Sequence, residues 1–148
     1  MKTLTRIMAC IICLCTADCK SQTNEEVMEN EIKTVVEKFV TAGMQRNTAM
    51  FDKILHTDFR VVVNRYPTSD KTAVISRAGY ISLMNQKKIG GTSYKTSILH
   101  LDIKEHSATV ISLLEAPENS MQVTFLLVKN QENSWQIISD LTIQNPNS

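Results

Sequence analysis

The sequence predicts an α+β fold in which three N-terminal helices pack on a curved antiparallel sheet. Three observations predict it. Helical periodicity is confined to the stretch between Thr23 and Gly91, and from Thr92 onward every patterned run reads as strand. Helices and strands so segregated along the chain are the mark of an α+β domain. The late strands are also apolar on both faces: Met121, Val123, Phe125 and Leu127 lie on one side, Leu126 and Val128 on the other. A sheet with one wet face alternates more cleanly than this, so the sheet curls around a lined interior, or packs its back on a second chain, or does both.

The elements follow in order. "TNEEVMENEIKTVVEKFVTAGM" is the clearest helix, with Thr23 and Glu26 at capping-box spacing and Glu25, Glu26 and Glu29 where the dipole favours acids. Ile32, Val35, Val36, Phe39 and Val40 repeat at helical spacing and form one buried stripe. Asn47 caps a second, shorter helix in "NTAMFDKILH", with Met50, Phe51, Ile54 and Leu55 on its apolar face. "DFRVVVNRY" then turns β-branched and aromatic, as a strand does, and "PTSDKT" is a loop by its turn residues. A third helix runs through "SRAGYISLMNQKKIGG", capped at Ser76 and stopped by Gly90 and Gly91. Four strands close the chain: Tyr94–Lys104, Ser107–Glu115, Met121–Lys129 and Trp135–Ile143, joined by connections of hairpin length.

A chain of 148 residues is one ordinary domain, large enough to bury a core without metal or disulfide staples. Its 43% hydrophobic and 21% charged residues are those of a globular protein. A net charge of +1, with Lys87-Lys88 as the only adjacent basic pair, gives no footprint for a nucleic acid, and none is expected as a partner.

The N-terminus stands apart. Lys2 and Arg6 precede an uncharged apolar run from Ile7 to Ala17, too short to span a bilayer as a helix but suited to a secretory signal peptide. All four cysteines, Cys10, Cys13, Cys15 and Cys19, lie in or just after it, so no disulfide framework is expected in the mature domain. Cys19 opens the polar stretch "CKSQTNEE", an arrangement that resembles a bacterial lipoprotein with a lipidated first cysteine, although the preceding "TAD" departs from the usual lipobox. Ordinary cleavage after Ala17 and free export is the alternative. The expected organisation is a signal peptide over 1–18, a polar tether over 19–25, the folded domain over 26–144 and a tail over 145–148. The expected location is exported, periplasmic or membrane-anchored, with the membrane met only through a lipid at Cys19. Loss of Lys2, Arg6 and Asp18 with the leader brings the 16 basic and 15 acidic residues of the chain into balance.

From Glu26 to Gln144 the order of elements resembles the nuclear transport factor 2-like superfamily, in particular its SnoaL-like and putative lumazine-binding branch. The resemblance is carried by the amphipathic first helix, the "MFDKILHTDFRV" step, the "ISRAGYISLM" helix, the "LDIKEHSATVISLLE" hairpin and the closing "FLLVKNQENSWQIISD". It implies a conical roll whose sheet wraps a pocket and whose back makes a homodimer. It implies no single reaction, because such folds serve isomerases, dehydratases, cyclases, carriers and assembly modules.

His56 and Asp58 sit where helix gives way to strand. They read first as a joint, with the imidazole at a helix C-terminus and the carboxylate on free backbone N–H groups. The chemical alternative makes Asp58 a general base beside a carbonyl, with His56 as donor. Strand alternation puts Arg60 on the face of Asp58, where pairing would lower the carboxyl pKa and weaken it as a base. His100 and Asp102 share another strand face, opposite the apolar Leu99, Leu101 and Ile103. Tyr66, Arg77, Tyr80, Trp135 and Asp140 are the candidate pocket residues, the few polar groups that a small-molecule cavity needs. Without HxH, HExxH, GxSxG, GxGxxG or P-loop patterns, neither a metal nor a nucleotide cofactor is expected. The expected function is binding of a small, partly apolar ligand by a homodimer. An isomerase-, dehydratase- or cyclase-type enzyme with a pocket aspartate is the first alternative, and a protein-interaction module is the second.

Overall fold

The structure, a computed structural model, describes residues 23–64 and 70–145; Cys19 and Tyr66, with the expected leader and residues 19–22 of the expected tether, lie outside the described residues. Helix α1 spans Asn24–Gln45 and starts as the capping pattern requires, with the Thr23 hydroxyl accepting from the Glu26 N–H at 3.3 Å. Its inner stripe of Ile32, Val36, Phe39, Val40 and Ala42 is buried. Full burial of one such aliphatic or aromatic side chain contributes about 1.5–3 kcal/mol, so this face anchors the helix more firmly than its propensity does. Arg46 ends the helix in the left-handed conformation, and its guanidinium donates to the carbonyls of Ile89 and Gly90. Gly91, at φ 88°, lies against that guanidinium, where a Cβ would collide.

Helix α2 spans Thr48–Ile54, with the Asn47 side chain accepting from the Met50 N–H at 3.2 Å. It is shorter than the sequence pattern suggests: Leu55 and His56 already belong to strand β1, Leu55–Asn64. Strand β2, Thr72–Ser76, lies between the expected loop and the expected third helix and pairs antiparallel with β1. Ser76 caps helix α3, Arg77–Asn85. The chain then runs through β3 (Lys95–Lys104), β4 (Ser107–Ala116), β5 (Asn119–Lys129) and β6 (Trp135–Asn145).

These six strands form one curved sheet in the order β2-β1-β6-β5-β4-β3, with the three helices packed on it. After α3 the chain enters the far edge at β3 and meanders back until β6 lies beside β1. That closing pair is parallel, whereas the other four are antiparallel. The fully antiparallel sheet expected from the sequence is corrected at this one seam. The register aligns Val110, Phe125, Asp140 and Val61 across the inner face, and Ser112, Val123, Thr142 and Val63 in the next row.

The outer face keeps large apolar residues in water: Leu126, Leu141, Ile143 and Val74 are 44%, 37%, 46% and 64% exposed. Leu99 joins the exposed set at 55%, although strand alternation groups it with Leu101 and Ile103, which pack against the core. A bulge between Ile98 and His100 inserts one residue and turns Leu99 outward. Among the described residues no helix is long and apolar enough to cross a membrane.

Candidate functional site

The inner face of β6 holds the most unusual charge in the molecule. Asp140 is only 5% exposed and sits in register between Val61 of β1 and Phe125 of β5, both buried. Two residues on, and therefore on the same strand face, the Thr142 hydroxyl donates to Asp140 Oδ1 at 2.7 Å. Burial pushes the Asp140 carboxyl up to about 6, and the Thr142 hydrogen bond opposes that rise only in part. The group therefore changes charge close to neutral pH, where a proton acceptor is most useful.

Tyr80 of α3 lies within electrostatic range of this carboxyl. Its ring stacks on Phe39 with centroids 6.0 Å apart and meets Phe51 and Phe59 edge-on at 5.4 and 5.6 Å. The residue as a whole is half-buried, and its phenol is the buried part. Burial first, and then the Asp140 charge, raise its pKa above the ordinary tyrosine range. Tyr80 thus stays protonated and can donate at any physiological pH. Phe39 extends the aromatic wall to Phe125, 5.1 Å away, so a single acid sits among aromatic rings.

Ser112 of β4 completes the polar set. It is fully buried on the same inner face, in the row of Thr142, and its Oγ has no hydrogen-bond partner among the described residues. Across two strand spacings it lies about 10 Å from Thr142. A buried hydroxyl without a partner costs about 1–3 kcal/mol, and such groups mark places where something else completes the bonding. Sequence reading named Tyr80 and Asp140 but missed Ser112 and Thr142. Alternation through Ala108, Val110, Ser112 and Leu114 was the available signal for Ser112, and the i+2 spacing from Asp140 for Thr142.

The other expected residues fall elsewhere. His56 and Asp58 do come together, but at the surface: the Asp58 side chain is 81% exposed. The Asp58 backbone N–H donates to His56 Nδ1 at 3.1 Å, and the carboxylate stands 3.7 Å from that nitrogen. His56 opens on a polar concavity of about 610 Å³ lined by Lys129, Asn130, Gln131, Glu132 and Gln136, which Asp58 does not line. This is the geometry of a helix-to-strand joint, with no apolar wall to desolvate a base. Arg77 turns from the interior to α2, donating to Asp52 at 2.6 Å. Trp135, 4% exposed, stands at the start of β6, five residues before Asp140, and borders a groove beside α1. His100 and Asp102 face outward, and Asp102 meets Lys104 at 3.5 Å. Among the described residues no group of three or more His, Cys, Asp or Glu side chains is placed to hold a metal ion.

A family model described as putative lumazine-binding matches residues 28–141, from the first turns of α1 to one residue past Asp140. No curated protein is similar enough to be matched with the chain. Solved structures share the fold. A nuclear transport factor 2-like protein of unknown function from Shewanella baltica superposes with a TM-score of 0.73 at 14% identity, over 85% of this chain and 100% of its own. One from Silicibacter pomeroyi gives 0.70 at 14% identity, over 84% and 100%. A ketosteroid isomerase-like protein from Erwinia carotovora gives 0.68 at 18% identity, again over 84% and 100%. At these identities the likeness is one of fold.

Proposed function

The chain belongs to the putative lumazine-binding family, within the nuclear transport factor 2-like superfamily, and from that premise we propose that it binds a small molecule against the inner face of its sheet. The observation that carries this reading is Asp140, a carboxyl held at 5% exposure among aromatic rings. Its bound partner is a mostly apolar molecule with one hydrogen-bonding edge. Asp140 addresses that edge, Tyr80 supplies a donor, Ser112 offers a separate hydroxyl two strands away on the same face, and the aromatic wall excludes water. Export, with or without a lipid at Cys19, is part of the proposal and rests on the apolar segment from Ile7 to Ala17. So is a homodimer, which would cover Leu126, Leu141, Ile143 and Val74 on the outer face.

A second reading is favoured by one specific observation. A carboxyl with a value of about 6, beside a phenol that stays protonated, is the arrangement that proton transfer next to a carbonyl needs. In that reading Asp140 takes the proton, Tyr80 steadies the developing oxyanion, and the Asp58–His56 joint is left to structure. The isomerase-like name of the Erwinia relative suggests the same class of chemistry.

Native mass spectrometry of the chain purified gently from its own host, compared with the denatured mass, tests binding. A reproducible small-molecule excess that falls at least fivefold in Asp140→Asn is expected. A clean protein mass, or an excess indifferent to Asp140→Asn, would overturn the assignment of this face. Turnover of the released compound by the wild-type chain, lost in Asp140→Asn, would select the enzymatic reading over simple binding.

A further inference from the structure

A second concavity lies outside the inner face, and nothing in the reading above uses it. Val27, Asn30, Glu31, Thr34, Val35 and Lys38 follow one another at i, i+3, i+4, i+7, i+8 and i+11 along α1. They form a single stripe beside the buried one, roughly 16 Å long at the rise of an α-helix. Facing that stripe are Lys53 of α2, Asn133 and Ser134 of the β5–β6 connection, and Trp135 at the start of β6, and the groove between has a volume of about 540 Å³. That is within the range of small-molecule sites.

Three features give the groove a chemistry. Lys38 and Lys53 both line it, and neither has a carboxylate partner within salt-bridge distance among the described residues; Glu31 is the one acid on its wall. Lys129, which lines the neighbouring concavity at His56 and not this groove, stands over the same indole with Nζ 5.2 Å from the centre of the Trp135 ring. The Trp135 side chain supplies the second feature, because its Nε1–H is buried and finds no acceptor. An indole nitrogen can only donate, so the vacancy calls for an acceptor. The third feature is a preformed wall. Asn130 Oδ1 accepts from the N–H groups of Glu132 and Ser134 at 3.0 and 2.9 Å, and Asn133 closes the turn in the left-handed region at φ 60°. Val27 and Val35 provide apolar surface along the stripe, Val27 being 39% exposed.

We propose that this groove is a second binding site, for a small organic acid whose carboxylate lies between Lys38 and Lys53 at the Trp135 indole and whose apolar stem runs along Val35 towards Val27. Excess positive charge, an apolar strip and the indole that carries the orphan donor all line one groove, and a fatty or aromatic monocarboxylate is complementary to all three. None of the Asp140 set lines this groove, so the proposal stands whether or not the inner face binds a ligand.

Trp135 is the single tryptophan of the chain, so its emission reports on this groove directly. Octanoate is titrated against the full chain, with octanol at equal concentration as the neutral control. A saturable change in Trp135 emission with octanoate, and none with octanol, is expected. Lys38→Gln/Lys53→Gln should raise the apparent Kd at least tenfold, while Lys95→Gln/Lys104→Gln on β3, a matched loss of two charges away from the groove, leaves it unchanged. No saturable change would overturn the proposal. So would a response shared equally by octanol, or an octanoate affinity indifferent to the double substitution.

Discussion

Two aspartates sit two residues from a polar partner on the same sheet, and their fates diverge. Asp58 follows His56 on β1 with its side chain 81% exposed, and Asp140 precedes Thr142 on β6 at 5% exposure. The first pair carries the residue types most often associated with acid–base chemistry, and its setting is water. The second pair carries a humble threonine, and burial pushes its carboxyl up to about 6. The difference teaches that the dielectric around a carboxyl decides its chemistry more than the identity of its neighbour does. A strand face, inner or outer, is what separates the two.

The largest effect expected from this contrast is thermodynamic. A carboxyl raised from 3.8 to about 6 in the folded chain binds its proton more tightly there than in the unfolded chain. Its contribution is therefore most favourable below about pH 4 and is lost as pH rises through 6, to the extent of about 3 kcal/mol. Asp140→Asn keeps an acceptor for Thr142 and removes the charge. Denaturant unfolding should find this variant more stable than wild type by about that amount at pH 8, with the gap closing at pH 4. A destabilised Asp140→Asn at pH 8 would place the carboxylate in a compensating polar environment and break the comparison.

Thr142→Val sharpens it. Loss of the hydroxyl removes the one hydrogen bond that favours the Asp140 carboxylate, so the titration midpoint of Asp140 should move further up. Carboxyl-resolved NMR across pH checks this, and a downward move would contradict it. Ser112→Ala is a smaller change. Removal of an unpartnered buried hydroxyl should leave stability unchanged or raise it by up to about 1 kcal/mol, while retention of the inner-face ligand falls. A loss of stability larger than that would mean the hydroxyl is already satisfied. The smallest effects belong to the joint: Asp58→Asn and His56→Gln should each stay within about 0.5 kcal/mol of wild type and leave ligand retention untouched.

Much of the architecture was legible because it rests on local periodicity. The stripe through Ile32, Val36, Phe39 and Val40 announces α1, and Thr23 announces its start. The last four strands were bounded to within a few residues, because apolar alternation and short polar connections repeat along them. What escaped is what long-range contact decides. No local pattern shows that β6 returns beside β1 in parallel, or that Thr72–Ser76 can serve as an edge strand. The bulge that turns Leu99 outward is equally silent, since it shifts the face of a strand without altering its composition.

The site was legible in part, for the same reason. Tyr80 and Asp140 were named as polar or aromatic groups within apolar runs, and the structure brings them within electrostatic reach of one another. Trp135 was grouped with them, but the β5–β6 connection and α1 place it beside a separate groove. Ser112 was overlooked among "VISLLE", where only its inward parity distinguishes it. Parity along a strand was readable. Which face the helices would cover was not, and that choice made Asp140 rather than Asp58 the unusual acid.

The central claim is that Asp140 is a dry carboxyl on the inner face, and its titration in the folded chain tests this most directly. Side-chain carboxyl NMR from pH 3 to pH 9, assigned through Asp140→Asn, should give a midpoint near 6. A midpoint at the ordinary aspartate value of 3.8 would put the group in water and remove the reason to look for a ligand there.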